Sequence, residues 1–434
     1  MMTLTRRDLL CSAVAAALIP GRVRGMPDVL RAEPVRLQIL EEGQAPTDLW
    51  GFNGSTPGPE IRVTQGDTLA LRFENRTDQP SSIHWHGIRL ENAMDGVPGM
   101  TQPLVPPGGT FDYAFRVPDA GTYWYHSHHQ SWEQVAKGLY GPLIVEEKTP
   151  PKVDADITVI LDDWRLDDTG ALMGGFGNRH DFAHGGRLGN YAMILPSQET
   201  VRLGERIRLR LINTATARVF PVRIEGVEAE VVALDGMPLA EPRDLSDIEL
   251  APAQRVDLIG DVTGPVNFLF VARDAVYDMG SLSVDGETAT PNTQPVEALA
   301  PAYMPKPKET PDQSLTLRME GGAMGGRHAG RDIWAFNGVS GLPDAPFATF
   351  RRGETVVMDV INDTSFPHGI HLHGHHFHEL GEDGSPGDVR DTTLVHRGQS
   401  RKIAVVFDNP GKWLLHCHML GHQASGMKTW VEVL

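Results

Sequence analysis

The feature that most constrains the fold of this 434-residue chain is a sequence pattern that occurs three times. Gly66 begins a run of alternating apolar and polar residues, and a His-Trp-His-Gly motif ends 21 residues later at Gly87. Gly353 begins a similar run, and a His-Leu-His-Gly motif ends, again 21 residues later, at Gly374. The middle copy begins at Gly204 and reaches Arg-Ile-Glu-Gly after 22 residues. Self-similarity at nearly constant spacing predicts three copies of one structural unit.

A second motif follows the first in each copy, also at a constant distance. The distance is 18 residues between Gly108 and His126, and again 18 residues between Gly398 and His416. In the middle copy the same distance, counted from Ala253, ends at Val271-Ala-Arg, without a histidine. The middle copy is therefore predicted to share the fold of the other two without sharing their chemistry.

The composition of the three copies indicates β-structure. Apolar and polar residues alternate, β-branched and aromatic residues are frequent, and Gly, Pro, Asn and Asp separate the runs. This pattern is typical of short antiparallel strands packed into sandwiches. We predict an all-β chain with three domains at residues 29–150, 151–290 and 313–434, which its length allows. Residues 291–312, rich in Pro, Thr and Glu, are predicted to form a linker.

The N-terminus has the composition of an export signal. Arg6 and Arg7 precede an apolar run over residues 9–19 that is too short to span a bilayer and is followed by Pro20. The hexapeptide Thr-Arg-Arg-Asp-Leu-Leu resembles a bacterial twin-arginine signal. We therefore expect residues 1–28 to be a signal peptide outside the fold and the mature protein to be periplasmic.

Charge and cysteine usage exclude several classes of protein. Without residues 1–25 the chain keeps 35 basic and 55 acidic residues, a net charge near −20, which repels nucleic acid. No later segment has the roughly 18 consecutive apolar residues that a membrane helix needs. Cys11 lies in the predicted signal, so Cys417 has no partner for an internal disulfide. Cys417 is therefore predicted to be either an inert buried thiol or a metal ligand.

Four His-x-His pairs are the candidate functional residues. Residues i and i+2 of a strand project from the same face, so each pair directs two imidazoles into one space. Imidazole is a common ligand of copper. A single pair often occurs without a metal, but these four lie at matched positions of the first and third copies. They are predicted to bring eight imidazoles together at one interface; the pairs are His84 and His86, His126 and His128, His371 and His373, and His416 and His418.

The last pair flanks Cys417, whose side chain must point to the opposite face of the strand. Its sulfur can therefore bind a second metal while its two neighbours bind the cluster. His422 and Met427 follow closely, and His368 precedes the third pair by three residues. Two histidines, a cysteine thiolate and a weak methionine are the ligands of a blue electron-transfer copper, whereas structural zinc sites commonly use several cysteines.

Together these motifs resemble the four copper motifs of the multicopper oxidases, in particular the three-domain bacterial laccase-like and copper-efflux-oxidase-like enzymes. The resemblance covers nearly all of the chain after residue 28. It implies three cupredoxin-like Greek-key β-sandwich domains, a mononuclear copper in the third, a trinuclear cluster between the first and third, and four copper ions in all. The motifs are His84-Trp-His-Gly, His126-Ser-His, Pro367-His-Gly-Ile-His-Leu-His-Gly-His-His-Phe and His416-Cys-His-Met-Leu-Gly-His-Gln-Ala-Ser-Gly-Met.

The resemblance also assigns roles to individual residues. It implies that His368, Cys417 and His422 bind the mononuclear copper, with Met427 as the axial ligand. It places His84 and His371 on the single copper of the cluster. The coupled pair of the cluster would be held by the other six histidines of the motifs, namely His86, His126, His128, His373, His416 and His418.

Electron and proton transfer follow from the same resemblance. An electron is expected to arrive at an exposed edge of His422 and to pass through Cys417. Cys417 is therefore predicted to be a catalytic residue. Asp95 stands where the family has an acid beside the cluster, so we expect it to supply protons, although an aspartate before glycine is also common in turns. Where related bacterial enzymes carry a second acid this chain has Gln423, which cannot ionise, so a second relay is in doubt.

The predicted function is a laccase-like oxidation of a phenol or aromatic amine coupled to the reduction of dioxygen to water. A cuprous oxidase stays possible, with Met319, Met324 and His328 as a weak substrate site. A copper-free periplasmic assembly factor, a copper-storage protein and a two-site nitrite reductase are less consistent with four complete motifs. The sequence leaves the physiological donor and the oligomeric state open.

The eight remaining histidines are predicted to pack in the core or lie on the surface without binding metal. These are His129, His180, His184, His328, His375, His376, His378 and His396.

Overall fold

The computed structural model describes residues 27–40, 43–323 and 333–434. Most of the predicted signal peptide therefore lies outside the described residues. Nearly all of its regular secondary structure is strand, and the predicted all-β class is confirmed. In chain order the strands are β1 (Val29–Leu37), β2 (Thr47–Phe52), β3 (Ile61–Thr64), β4 (Thr68–Asn75), β5 (Ile83–His86), β6 (Thr110–Arg116), β7 (Gly121–Ser127), β8 (Tyr140–Glu146), β9 (Ala155–Trp164), β10 (Tyr191–Pro196), β11 (Thr200–Val201), β12 (Arg206–Asn213), β13 (Phe220–Leu234), β14 (Met237–Asp244), β15 (Ile248–Leu250), β16 (Arg255–Val271), β17 (Val276–Val284), β18 (Gln313–Gly321), β19 (Trp334–Phe336), β20 (Ala348–Phe350), β21 (Glu354–Asn362), β22 (His368–Leu372), β23 (Phe377–Leu380), β24 (Pro386–Arg390), β25 (Thr392–Val395), β26 (Ser400–Phe407), β27 (Gly411–Cys417) and β28 (Lys428–Val433).

Helices are short and lie between strands. The described residues contain a 3-10 turn at Asn92–Met94 and three α-helices, α1 (Ser131–Gln134), α2 (Arg179–Ala183) and α3 (Leu420–Ala424). Among these residues no helix is long and apolar enough to cross a lipid bilayer.

The strands fall into three groups that we call the first module (β1–β8), the middle module (β9–β17) and the third module (β18–β28). In the first module two four-stranded sheets, ordered β2-β1-β4-β6 and β3-β8-β7-β5, face each other across one core. Phe73 and Phe115 come from one sheet and Trp85 and Tyr125 from the other, and all four are buried. Along β4 and β6 the buried residues alternate with more exposed ones, as in a sheet with one face in water, whereas β5 and β7 are buried along their whole length.

The third module repeats this plan with larger sheets. A six-stranded sheet, β19-β18-β21-β26-β23-β24, packs on a five-stranded sheet, β20-β28-β27-β22-β25. The middle module forms one nine-stranded sheet with the path β10-β9-β12-β16-β13-β14, and strands β11, β15 and β17 are paired off this path. Its long strands β13 and β16 contain register shifts, which bend the sheet around its own core.

One buried asparagine shows that the sequence repeat is a structural repeat. Asn75, Asn213 and Asn362 end β4, β12 and β21, and all three side chains are fully buried. Each Nδ2 donates to two backbone carbonyls. The distances are 2.8 and 2.9 Å for Asn75, 2.9 and 2.8 Å for Asn213, and 2.7 and 2.9 Å for Asn362. Because a buried amide needs hydrogen-bond partners, this residue stabilises the same loop in each module.

Candidate metal centre

Strand pairing brings the four His-x-His pairs together two by two. In the first module β5 pairs with β7, and His84 lies opposite His126. In the third module β22 pairs with β27, and His371 lies opposite His416. The β-ladder thus gathers four imidazoles at the end of each sandwich, and the period of two along each strand directs them to the same side.

The two sets of four imidazoles then meet across the interface between the first and third modules. The rings of His84 and His373 have centroids 3.9 Å apart, and those of His86 and His371 stack at 3.8 Å. The other four rings also make contacts across this interface. The crossed pairing, in which the first residue of one pair meets the second of the other, is what an approximate two-fold relation between the modules requires.

Within this cluster, ligand atoms of three histidines at a time lie within 4.8 Å of one another. Two of the three groups share His86, and together the three contain all eight histidines of the four pairs. They are His84, His86 and His371; His86, His126 and His418; and His128, His373 and His416.

The hydrogen bonds of these rings fit a metal cluster. Nε2 of His84, His126 and His371 and Nδ1 of His86 are buried without a partner among the described residues. The opposite nitrogen of each ring is engaged: Nδ1 of the first three contacts backbone carbonyls at 2.8 to 2.9 Å, and Nε2 of His86 contacts a carboxylate at 3.2 Å. A partner on one nitrogen fixes the ring and leaves the other lone pair for a cation.

Burial keeps most of these imidazoles neutral, which is the form that binds a metal. Burial lowers the pKa of six of them well below the ordinary histidine value, because the charged form loses its hydration, and neighbouring histidines lower it further. These six are His86, His126, His128, His373, His416 and His418.

Asp95 lies on the outer side of the cluster. Its Oδ2 accepts a hydrogen bond from Nδ1 of His373 at 2.9 Å, and its backbone carbonyl accepts one from Nδ1 of His84 at 2.8 Å. The side chain is 1% exposed. Asp95 therefore orients one imidazole of each module.

The sequence did not identify a second carboxylate, Asp391, or its partner Arg255. Asp391 lies 3.2 Å from Nε2 of His86, and its carbonyl accepts from Nδ1 of His371. Burial alone would raise the pKa of Asp391, but the Arg255 guanidinium beside it holds that pKa well below the usual range. Neither residue has a local signal, because Asp391 precedes a strand like many aspartates and Arg255 lies in the copy without histidines.

The candidate mononuclear site lies in the third module. Sγ of Cys417 is 3.5 Å from Nδ1 of His368 and 3.8 Å from Nδ1 of His422, and the two nitrogens are 3.1 Å apart. All three residues are buried, and Met427 is buried in the same core. Burial raises the pKa of the Cys417 thiol to about 12, so a cation must displace its proton on binding. Thr364 Oγ1 contacts Nε2 of His368 at 2.8 Å, which leaves Nδ1 facing the sulfur.

Comparison with known proteins agrees with this geometry. Three family models, each described as "Multicopper oxidase", match residues 35–150, 155–294 and 309–434. The chain belongs to the multicopper oxidase family. This also confirms the predicted cupredoxin-like fold.

Relatives of this multicopper oxidase carry different functional names. It is 32% identical to Multicopper oxidase MmcO of Mycobacterium tuberculosis, over 97% of this chain and 89% of that protein. It is 27% identical to Copper resistance protein A of Pseudomonas syringae, over 91% and 92% of the two chains. The crystal structure of Lac15 from a marine microbial metagenome matches with a TM-score of 0.82 and 51% identity, over 94% of this chain and all of that one.

One expectation about the multicopper oxidase is wrong: His422 has no exposed edge. Its side chain is 0% exposed, and its Nε2 donates to the backbone carbonyl of His184 at 2.6 Å. The covering residues follow helix α2 of the middle module. The sequence could not indicate this contact, because it joins positions 238 residues apart.

Of the three residues predicted to form a weak site for a cuprous ion, the structure describes only Met319. Met319 is 0% exposed in the core of the third module, so it cannot hold a substrate ion at the surface. Met324 and His328 lie outside the described residues.

The remaining histidines behave as packing or surface residues. His375 packs against Phe407 and Trp413, and His376 is buried with its Nε2 3.7 Å from Asp391. His129, His184, His378 and His396 are partly buried, and His180 is exposed. None of them belongs to a group of metal-binding side chains in the part of the chain that the structure describes.

Proposed function

We propose that this protein is a copper-dependent oxidase that takes single electrons from a phenol or aromatic amine. Four electrons and four protons reduce one dioxygen to two waters. The observation that carries this proposal is the meeting of eight imidazoles at one interface, with the sulfur of Cys417 directed to a second group of ligands.

Four copper ions would fit the ligand groups. His368, Cys417 and His422 would hold one, with Met427 as a weak axial ligand. His84 and His371 would hold a second. A coupled pair would take the remaining six histidines in two sets of three, His86, His126 and His418 and His128, His373 and His416. Bound copper would supply one-electron redox chemistry at both places.

Cys417 would connect the two places. Its sulfur lies among His368 and His422, whereas the adjacent His416 and His418 belong to the cluster groups. Only the peptide backbone and side-chain bonds of consecutive residues separate them. This continuity gives an electron a covalent path between the sites.

Asp95 would have two tasks. Its hydrogen bond to Nδ1 of His373 holds that ring with Nε2 inward. We also propose that it supplies protons to oxygen reduction, as a carboxylate beside the cluster can. Gln423 cannot ionise, so a relay at that position is absent and the supply of protons would fall on Asp95.

Two alternatives to a phenol or aromatic-amine oxidase can be tested. The similarity to a copper resistance protein favours Cu(I) as donor, although Met319 is buried. A copper-free assembly factor of the same fold would bind no metal. Oxygen uptake with 2,6-dimethoxyphenol, phenylenediamine and Cu(I) distinguishes the donors, and the absence of uptake with all three contradicts the oxidase.

Metal analysis tests the cofactor proposal directly. We expect about four copper ions per chain, with one blue signal, one ordinary signal and a coupled pair that is silent in electron spin resonance. Cys417→Ser should lose the blue absorption and about one copper ion. A full-length chain that folds and binds one copper or none contradicts the proposal.

We also propose that the protein works in the periplasm and that residues 29–150, 151–290 and 313–434 are its domains, joined by a linker at 291–312. The twin-arginine-like sequence supports the location. Replacement of Arg6 and Arg7 by lysine should keep the protein in the cytoplasm, as cell fractionation would measure.

A further inference from the structure

The end of helix α2 in the middle module is bonded to the third module beside the candidate mononuclear site. The last carbonyls of a helix have no partner within the helix and accept from other groups. Here three consecutive carbonyls accept hydrogen bonds from the third module, and that of Phe182 also accepts a longer one from Ser425 Oγ at 3.4 Å. The bonds are Trp334 Nε1 to Phe182 at 2.6 Å, Ala323 N to Ala183 at 2.8 Å, and His422 Nε2 to His184 at 2.6 Å.

Residues 178–184, which we call the strap, are also held from the middle module. Asn178 caps helix α2, and its Oδ1 accepts from the backbone N–H of Asp181 at 2.9 Å. The carboxylate of Asp181 pairs with Arg165 at 2.9 to 3.0 Å. The strap is therefore a built element with bonds on both sides, not a loop that happens to pass over His422.

The carbonyl of His184 in the strap accepts a hydrogen bond from Nε2 of His422, the ring nitrogen that points away from Cys417. A donor that needs a hydrogen bond to His422 must first displace the carbonyl of His184. On the strap itself, the rings of His180 and His184 lie 4.2 Å apart, and His184 meets Phe366 edge to face at 6.0 Å. His180 is exposed, so these rings offer an aromatic surface one peptide group away from His422.

We propose that the strap, rather than His422, is the surface on which an electron-rich aromatic donor binds, and that it excludes donors that must contact His422. This rests on the proposed oxidase function. A bound phenol gives up one electron and loses its hydroxyl proton to solvent water. The electron crosses the peptide group of His184 and its hydrogen bond to His422, and dioxygen is the final oxidant.

The first experiment measures the covering of His422 in the copper-loaded protein, without turnover. Diethyl pyrocarbonate modifies accessible imidazole nitrogens, and peptide mass spectrometry gives a rate for each histidine. His422 should react far more slowly than the partly exposed His396. Trp334→Phe keeps an aromatic ring but removes the bond to Phe182. Loss of one such hydrogen bond should increase strap opening, and the labelling of His422, about five- to tenfold.

The matched control is Trp430→Phe, which removes an equivalent indole bond to the carbonyl of Pro343 at 2.9 Å elsewhere in the third module. It should leave the labelling of His422 unchanged. Asn178→Ala is the second variant should Trp334→Phe fail to fold. It removes the cap of helix α2 and the two bonds of Nδ2, to Asp181 and Gly175, but none of the three bonds to the third module. It should raise the labelling in the same direction. Fast labelling of His422 in the unaltered protein, or equal effects of Trp334→Phe and Trp430→Phe, would overturn the proposal.

The second experiment tests binding on the strap. His184→Ala keeps the backbone carbonyl and removes the ring, so KM for 2,6-dimethoxyphenol should rise by a larger factor than kcat falls. The labelling of His422 should stay slow. An unchanged KM overturns donor binding at the strap. Failure of the unaltered protein to consume oxygen overturns the proposed function alone, because the labelling experiment still measures the strap.

Discussion

Arg255→Met removes the guanidinium that joins all three modules beside the histidine cluster. Arg255 is fully buried in the middle module. Its Nη1 and Nη2 donate to the two carboxylate oxygens of Asp391 at 2.9 and 2.6 Å. Its Nε donates to the carbonyl of Thr122 in the first module at 3.0 Å, and Nη2 also donates to that of Asp235 at 2.9 Å. Methionine fills a similar volume and makes none of these bonds.

The expected cost follows from the charge that remains. Asp391 stays buried against His86, and its carboxylate loses the cation that stabilises it. Breaking a fully buried ion pair by removing one partner costs about 3–5 kcal/mol. The copper cluster should also suffer, because loss of a group that orients a metal ligand lowers metal affinity about 10- to 100-fold.

Two measurements on matched variants separate these effects. Arg208→Met is the control, because Arg208 is a similarly buried arginine of the middle module that pairs with Asp257 and Glu147. Among the described residues neither of these carboxylates bonds to a histidine of the cluster, whereas Asp391 bonds to His86. Both variants should lower the denaturant midpoint of the copper-free protein. Only Arg255→Met should release copper to a chelator more readily.

The reasoning is refuted if Arg255→Met loses less than about 1 kcal/mol of unfolding free energy, since a buried carboxylate cannot lose its paired guanidinium at so small a cost. It is also refuted if Arg255→Met and Arg208→Met retain copper equally. In that case Arg255 would not hold His86 in place through Asp391.

Three further predictions concern single side chains. Met427→Leu should raise the reduction potential of the blue copper in a redox titration, because the loss of an axial ligand destabilises Cu(II) more than Cu(I); an unchanged or lower potential contradicts axial ligation. Asp95→Asn should slow reoxidation by dioxygen about 100-fold or more, while stopped-flow bleaching of the blue absorption by donor under anaerobic conditions stays unchanged. Burial opposes ionisation of Asp156, but the hydrogen bond and charge of Arg210 lower its pKa to about 2. The ion pair therefore stabilises the folded protein fully above the pKa of an unfolded aspartate, near 4. This stabilisation is lost as the pH falls from about 4 to 2. The free energy of unfolding should therefore fall by about 2 kcal/mol less in Asp156→Asn than in the unaltered protein when the pH is lowered from 5 to 2.

The sequence by itself determined the fold class and the residue types of the candidate site. Alternation along a strand is a property of the local backbone, so the placement of His84 and His86 on one side, and of Cys417 opposite its neighbours, could be read from spacing alone. The three-fold repeat added that two modules carry ligands and one does not. The resemblance of the four histidine motifs to those of the multicopper oxidases supplied the expected role of each residue.

Only the tertiary structure decided which groups meet across modules. The contact of His86 with Asp391 joins positions 305 apart, and that of His422 with His184 joins positions 238 apart. The periodicity within a strand carries no information about the register between modules, which depends on how whole sandwiches pack. For that reason the candidate ligands could be proposed from the sequence, whereas the carboxylate and arginine behind them and the strap over His422 could not.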